Sequence, residues 1–431
     1  MWPRFFRLHK SPTQGNFPEK ALRFLLERGF TYKAVETYLA RKSNGQKSYQ
    51  EVAASGILTE LRQAYRRERP VIYTTAFVPT ELVYGLGAVP FLPEVWSGFA
   101  ASLGVAPRAI HISESLGYSQ DLCSFHRCGL GLFGMGILPN PSAVIVSSHL
   151  CDGGRRSLYY HSRVAGCPLY VLDVPYSFDR EARVFLARQI EHVAQDLVRK
   201  VPGLSLDHMR RAIEASNGAR RVYLDVCRVR RNVPSPWRGS EALNYVSVFL
   251  SSWGSGWLPE FYGELLRYLE RTVRTCAFPV GNERHRLLWL NLRPYYRTPI
   301  FDFLEKQFST SIAFEEYSKL YWPEIDPDNW AEGLAEKMMS NFGWGPLERR
   351  IHAVWSMVED YSIDGVVQFN QWGCRQSNGG ARPLRDFLQK RGIPFLELDG
   401  DGVDAGNSGS AQAITRLSAF LEMLDSRGVI A

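Results

Sequence analysis

The sequence predicts an α/β protein built on two open parallel sheets. Two observations carry the prediction. Short apolar runs, each leading into a helical stretch, occur in two separate parts of the chain. Within those runs successive residues are apolar rather than alternating, the pattern of strands covered on both faces. A chain of 431 residues with 45% hydrophobic and 13% aromatic content can bury a large core, and its length suggests two or three domains.

Ala21, Phe24 and Leu25, and later Val52, Leu58, Leu61 and Tyr65, recur at spacings of three and four, which predicts an N-terminal helical arm over residues 1–69. The first strand follows Pro70 as Val71-Ile72-Tyr73-Thr74-Thr75, and a helix opens at Pro79 with Glu81 in its first turn. The rhythm continues through Ala143-Val144-Ile145-Val146, a turn at Cys151-Asp152-Gly153-Gly154, a helix over 155–165 and a strand from Leu169 to Val174. Residues 70–176 thus form a first α/β domain.

Asp179 is placed to cap a helix whose Ala182, Leu186, Ile190, Val193 and Leu197 make one stripe, and a second helical stretch runs over 207–231. Residues 177–284 read as a helical connecting region, with loops at 232–236 and 254–256 that border the site. A second α/β domain, 285–431, starts at Arg286-Leu287-Leu288-Trp289-Leu290 and passes through Ile312-Ala313-Phe314 and Gly365-Val366-Val367-Gln368-Phe369. Cys374, a helix over 381–391, a strand from Pro394 to Leu398 and a C-terminal amphipathic helix over 411–424 complete it. Each half runs strand, cysteine-bearing turn, helix, which is a Rossmann or flavodoxin-like plan.

The net charge of +7 comes from Lys and Arg scattered among 44 acidic residues, the pattern of a solvated surface rather than of a nucleic-acid footprint. No apolar run approaches the roughly 20 residues that span a bilayer. The basic start, Met1 to Lys10, is followed by no apolar signal core, so a cytoplasmic protein is expected. Seven cysteines at irregular spacing make no secreted framework and are expected to be thiols.

Cys151 and Cys374 each follow an apolar strand and precede a helix, the edge of an open sheet where ligands collect. A helix N-terminus also stabilises thiolate, the form that binds metals. Cys123 sits in a second glycine-containing segment, Asp121-Leu122-Cys123-Ser124-Phe125-His126-Arg127-Cys128-Gly129-Leu130-Gly131. The absence of any Cys-x-x-Cys pair argues against zinc, while iron–sulfur clusters accept widely separated ligands. On spacing alone a shared metal site and simple core packing both stand, packing being the commoner fate of such thiols.

Five blocks resemble the D-component of 2-hydroxyacyl-CoA dehydratases and the related benzoyl-CoA reductases, from about Val71 to Leu424. They are Thr74-Thr75-Ala76-Phe77-Val78-Pro79-Thr80-Glu81-Leu82 with Gly85 and Gly87; Leu122-Cys123-Ser124-Phe125-His126-Arg127; Cys151-Asp152-Gly153 with Leu172-Asp173-Val174-Pro175; Trp372-Gly373-Cys374-Arg375-Gln376-Ser377; and the tail from Gly392 to Asp399 and from Thr415 to Leu424. The resemblance implies a [4Fe-4S] cluster in the cleft between the domains, held by Cys123, Cys151 and Cys374. It also implies an ATP-hydrolysing iron–sulfur activator as electron donor, a homodimer or a heterodimer with a paralogous subunit, and ketyl-radical dehydration of a 2-hydroxyacyl-CoA.

Glu81 is the first candidate acid or base, and its alternative is a first-turn glutamate serving the helix dipole. Thr75, and Thr74 beside it, offer hydroxyls to a substrate oxygen or simply end a strand. His126 is a candidate proton carrier beside Cys123. Asp152 reads as a cap. Cys128 is a possible extra ligand, whereas Cys167, Cys227 and Cys276 read as core residues. The runner-up function is an ATP-dependent reductase, either with a double-cubane [8Fe-9S] cluster or of the benzoyl-CoA type. From a different class, a non-redox two-lobed binding protein has the same outline.

Overall fold

The computed structural model describes residues 27, 28, 32 and 47–428. Most of the expected N-terminal arm lies outside the described residues. Its last part is helix α1 (Tyr49–Tyr65), started by a capping box between Ser48 and Glu51.

The first α/β domain runs β1 (Val71–Thr74), α2 (Thr80–Gly85), β2 (Val89–Phe91), α3 (Pro93–Ser102), α4 (Ala106–Ser115), α5 (Ser124–Gly134), β3 (Ala143–Ser147), α6 (Asp152–Ala165) and β4 (Leu169–Leu172). Its four strands are parallel in the order β2-β1-β3-β4. Four long helices follow: α7 (Arg180–Lys200), α8 (Met209–Arg230), α9 (Gly239–Ser251) and α10 (Leu258–Arg274). The second domain contains β5 (His285–Leu290), α11 (Ile300–Asp302, continued by a π-helical turn), β6 (Thr310–Glu315), α12 (Trp330–Met339), α13 (Leu347–Asp360), β7 (Gly365–Gln371), α14 (Arg375–Asn378), α15 (Ala381–Gln389), β8 (Phe395–Gly400) and α16 (Ser410–Gly428). Its order, β6-β5-β7-β8, repeats that of the first sheet strand for strand, and all its pairs are parallel. The two-sheet α/β architecture expected from the apolar runs is therefore present.

Side-chain alternation explains why the strands read as continuously apolar. In β3, Ala143 and Ile145 point into one core while Val144 and Val146 point into the core on the opposite face. In β5, Leu287 and Trp289 face one layer and Leu288 and Leu290 the other. Each such side chain, fully withdrawn from water, contributes roughly 1.5–3 kcal/mol before conformational entropy is subtracted.

Two features depart from the linear reading. The short strand β2 lies in a stretch where no strand was expected. Helix α12, in the stretch expected to belong to the second domain, packs on the first: Ala331, Leu334 and Met338 share a core with Leu186 and Ile190 of α7. The chain thus crosses back over the first sheet before completing the second. No helix among the described residues is long and apolar enough to cross a membrane.

Candidate active site

In both sheets the strand order reverses beside the third strand, β3 in one and β7 in the other, and the loops that leave these two strands carry Cys151 and Cys374. The crevice beyond such a reversal is where open α/β sheets bind ligands. Cys123, Cys151 and Cys374 all line one cavity of about 1440 Å³ between the domains. Each is the N-cap residue of a helix: α5, α6 and α14 respectively.

Cys151 Sγ accepts the Gly154 N–H at 3.3 Å and lies 3.2 Å from His126 Nε2. Leu150, just before it, has φ of 68°, so the chain reaches Cys151 through a backbone conformation that non-glycine residues seldom adopt. Cys123 is joined to the second domain through its neighbour: Gln371 of β7 donates to Ser124 Oγ at 3.1 Å and accepts the Gly402 N–H at 2.6 Å. Behind Cys374, Arg350 forms a buried ion pair with Glu316 and donates to the Ser377 carbonyl at 2.8 Å, which fixes α14. At the mouth, Arg375 pairs with Asp152, each residue directly following a cysteine in its own domain. Asp152 is the first residue of α6, where Cys151 takes the cap position expected of Asp152, and it adds this cross-domain contact.

Burial pushes all three thiols up. Cys151 is raised to about 12, with Glu94 adding to the effect and the Gly154 N–H opposing it; Cys374 is raised to about 11. Cys123 lies well above the ordinary thiol range, from burial first and then from the negative charge that Cys374 and Cys151 would carry. Three converging sulfurs that resist ionisation alone are what a cationic soft-metal group would stabilise as thiolates. Among the described residues no group of three or more His, Cys, Asp and Glu is gathered closely enough for a single metal ion, and the donor set fits a larger sulfur-loving group.

His126 reaches the cavity wall, and burial lowers its pKa. Thr75 lies off that wall, in a small niche it shares with Glu94, Phe125, His126, Ser157 and His161. Glu81 does not line the cavity. Fully buried, it accepts hydrogen bonds from Lys337 Nζ and Ser216 Oγ, both at 2.7 Å, while its second oxygen has no partner. Cys128 is fully buried in the core against the first sheet and absent from the cavity wall.

Glu94, by contrast, lines the cavity, as Asp121, Asp152 and Asp399 also do. It stands in the first turn of α3, accepts the Ala76 N–H, and lies 3.9 Å from His126 Nδ1. Burial raises its pKa. In the sequence, Pro93-Glu94 carries no signal beyond that of an ordinary helix start. Only the pairing of β1 with β2 brings the loops after these two strands together, with Ala76 at the end of one and Glu94 at the end of the other. Tyr317, which follows β6 and donates to Asn291 Oδ1 at 3.1 Å, was likewise unforeseen on the wall.

Curated relatives share most of this chain. It is 22% identical over 381 residues to the (R)-phenyllactyl-CoA dehydratase alpha subunit of Clostridium sporogenes, covering 84% of this chain and 91% of that one. It is 23% identical over 389 residues to a subunit of the benzoyl-CoA reductase of Thauera aromatica, covering 82% and 89%. A third relative, the (R)-2-hydroxyisocaproyl-CoA dehydratase alpha subunit of Clostridioides difficile, is 23% identical over 389 residues, covering 85% and 92%. The family model described as 2-hydroxyglutaryl-CoA dehydratase, D-component, matches residues 75–424, a span that contains all three cavity cysteines and both sheets after β1, and the chain therefore belongs to that family.

Proposed function

We propose that this chain is the iron–sulfur subunit of an enzyme that dehydrates a 2-hydroxyacyl-CoA, with Cys123, Cys151 and Cys374 as ligands of a [4Fe-4S] cluster. The observation that carries the reading is the convergence of these three helix-capping cysteines, drawn from two domains, on one large cavity that also exposes Glu94 and His126. Bound there, the cluster would supply one-electron chemistry at low potential, which protein side chains cannot.

The chain's own residues supply the rest. Burial shifts the Glu94 carboxyl toward its protonated form, and its place on the cavity wall makes it the group to give a proton to a departing hydroxyl. His126 lies between Glu94 and Cys151 and links the carboxyl to the cysteine edge of the cavity. Helices α1, α3 and α9 form one wall of the cavity, and α9 itself packs on the second sheet, where its Leu243 shares a core with Leu287, Trp289 and Ile312. In this reading electrons come from an ATP-hydrolysing activator, and a paralogous subunit or second copy completes the enzyme.

The equally long match to the benzoyl-CoA reductase of Thauera aromatica favours ring or acyl reduction as the second reading. Anaerobic purification with iron and sulfide quantification tests the core of the proposal. About four irons per chain, a brown colour with absorption near roughly 400 nm, and activator-dependent loss of water from a hydroxyacyl thioester are expected. A protein that stays colourless after anaerobic reconstitution overturns it.

A further inference from the structure

Helix α3 turns one face to the cavity, with Glu94, Val95, Gly98, Phe99 and Ser102 spaced at one, three, one and three residues. At 1.5 Å per residue that face runs about 12 Å from Glu94, beside the cysteine edge, to Ser102. Helix α1 lines the same cavity through Ala54 and Leu58, and α9 through Val248 and Leu250. Together they form a helical wing of the cavity wall, whose further polar side chains Gln50, Ser102, Asn244, Tyr245 and Ser247 are uncharged. Among its described residues none is Lys, Arg or His.

The rest of the wall carries more negative than positive charge. Asp121, Asp152 and Asp399 line it with Glu94, whereas the arginine on it, Arg375, is already paired with Asp152. A second carboxylate entering this space would lose its hydration with no cation to receive it, a cost of several kcal/mol in a partly desolvated site. An aryl or branched alkyl group of similar length would gain from burial against Val95, Phe99 and Leu58.

We propose that the wing between α1, α3 and α9 holds the acyl chain of the substrate, admitting an uncharged bulky apolar chain and rejecting one that ends in a carboxylate. This rests on the functional reading above and narrows it. The family model carries the name of a glutaryl substrate, whose chain ends in such a carboxylate, so the lining separates this chain from that substrate class.

The test is equilibrium binding, by calorimetry, of 2-hydroxy-3-phenylpropanoyl-CoA and 2-hydroxyglutaryl-CoA to the anaerobically purified holoprotein with the subunit that co-purifies. The phenyl thioester should bind at least about 50-fold more tightly. Phe99→Arg, at a position 38% exposed and therefore tolerant of charge, should shrink that ratio to about five-fold or less, chiefly by improving the glutaryl ligand. Ala54→Arg, on a different helix, provides the same readout should Phe99→Arg fail to fold. Equal binding of the two thioesters by the parent protein overturns the inference and leaves the dehydratase reading standing. An unchanged ratio in both folded arginine variants overturns the placement of the acyl chain in this wing. Binding of neither thioester to iron-loaded protein overturns the functional reading and the acyl assignment with it.

Discussion

Gly373 lies against the backbone of Cys123. A Cβ added to Gly373 would stand 2.9 Å from both the Asp121 carbonyl oxygen and the Cys123 nitrogen, and the residue itself has φ of 77°. The turn that presents Cys374 therefore touches the turn that presents Cys123 across the domain boundary, and only glycine satisfies both the space and the dihedral. Gly373→Ala should cost on the order of 2–3 kcal/mol and lower iron content per chain, measured by chemical denaturation and metal analysis of the same preparation.

Cys151→Ser and Cys374→Ser should each leave the folded state within about 1 kcal/mol of the parent apoprotein while abolishing most of the bound iron. Cys128→Ala, which removes a sulfur from the apolar core instead, should cost about 1–2 kcal/mol with iron retained. Full iron in either serine variant, or its loss in Cys128→Ala, would reverse these assignments.

Glu94→Gln keeps the shape of the side chain and removes its proton. Turnover of a hydroxyacyl thioester should drop by about 10²–10⁴-fold, with iron content and thioester affinity close to those of the parent. Equal losses in affinity and rate would point instead to a structural contact.

Glu81 and Lys337 pair in the interior, and Lys337 Nζ also sits 3.9 Å from the centre of the Trp322 ring. Lys337→Met strands a buried carboxylate and should destabilise the fold by about 3–5 kcal/mol. Adding Glu81→Gln should restore much of that loss, since the uncompensated charge is gone. Activity of the folded double variant within about ten-fold of the parent would mark Glu81 as a structural residue rather than an acid or base.

Glu60 anchors α1, the cavity's helical wall, by accepting hydrogen bonds from Tyr84 Oη at 2.7 Å and Trp257 Nε1 at 2.8 Å. Burial raises its pKa from the ordinary 4.5 to about 7. The folded state thus favours the protonated carboxyl. Its contribution to stability is full below pH 4.5 and is lost as pH rises through 7. Glu60→Gln should remove that dependence, so that the stability difference between variant and parent grows in the variant's favour by on the order of 2 kcal/mol between pH 5 and pH 8. Urea denaturation at the two pH values measures it.

Residue patterns alone were enough to call for two parallel sheets, because a strand buried on both faces must be apolar at successive positions, as Ala143 to Val146 are. They also placed Cys151 and Cys374 at strand ends, since an apolar run followed by helix-starting residues marks the carboxyl edge of a sheet. The ordered resemblance blocks then added Cys123 and an expected cluster. Proximity, by contrast, came only with the folded chain. The glycines of the 123–134 segment belong to a helix, where Gly131 lets α5 approach within contact of the Ala109 carbonyl. Glu94 joins the cavity through strand pairing, and Glu81 leaves it because α8 and α12 close over its carboxylate. Those outcomes depend on contacts between residues far apart in the chain, 135 positions for Glu81 and Ser216 and 256 for Glu81 and Lys337, and no local pattern encodes them.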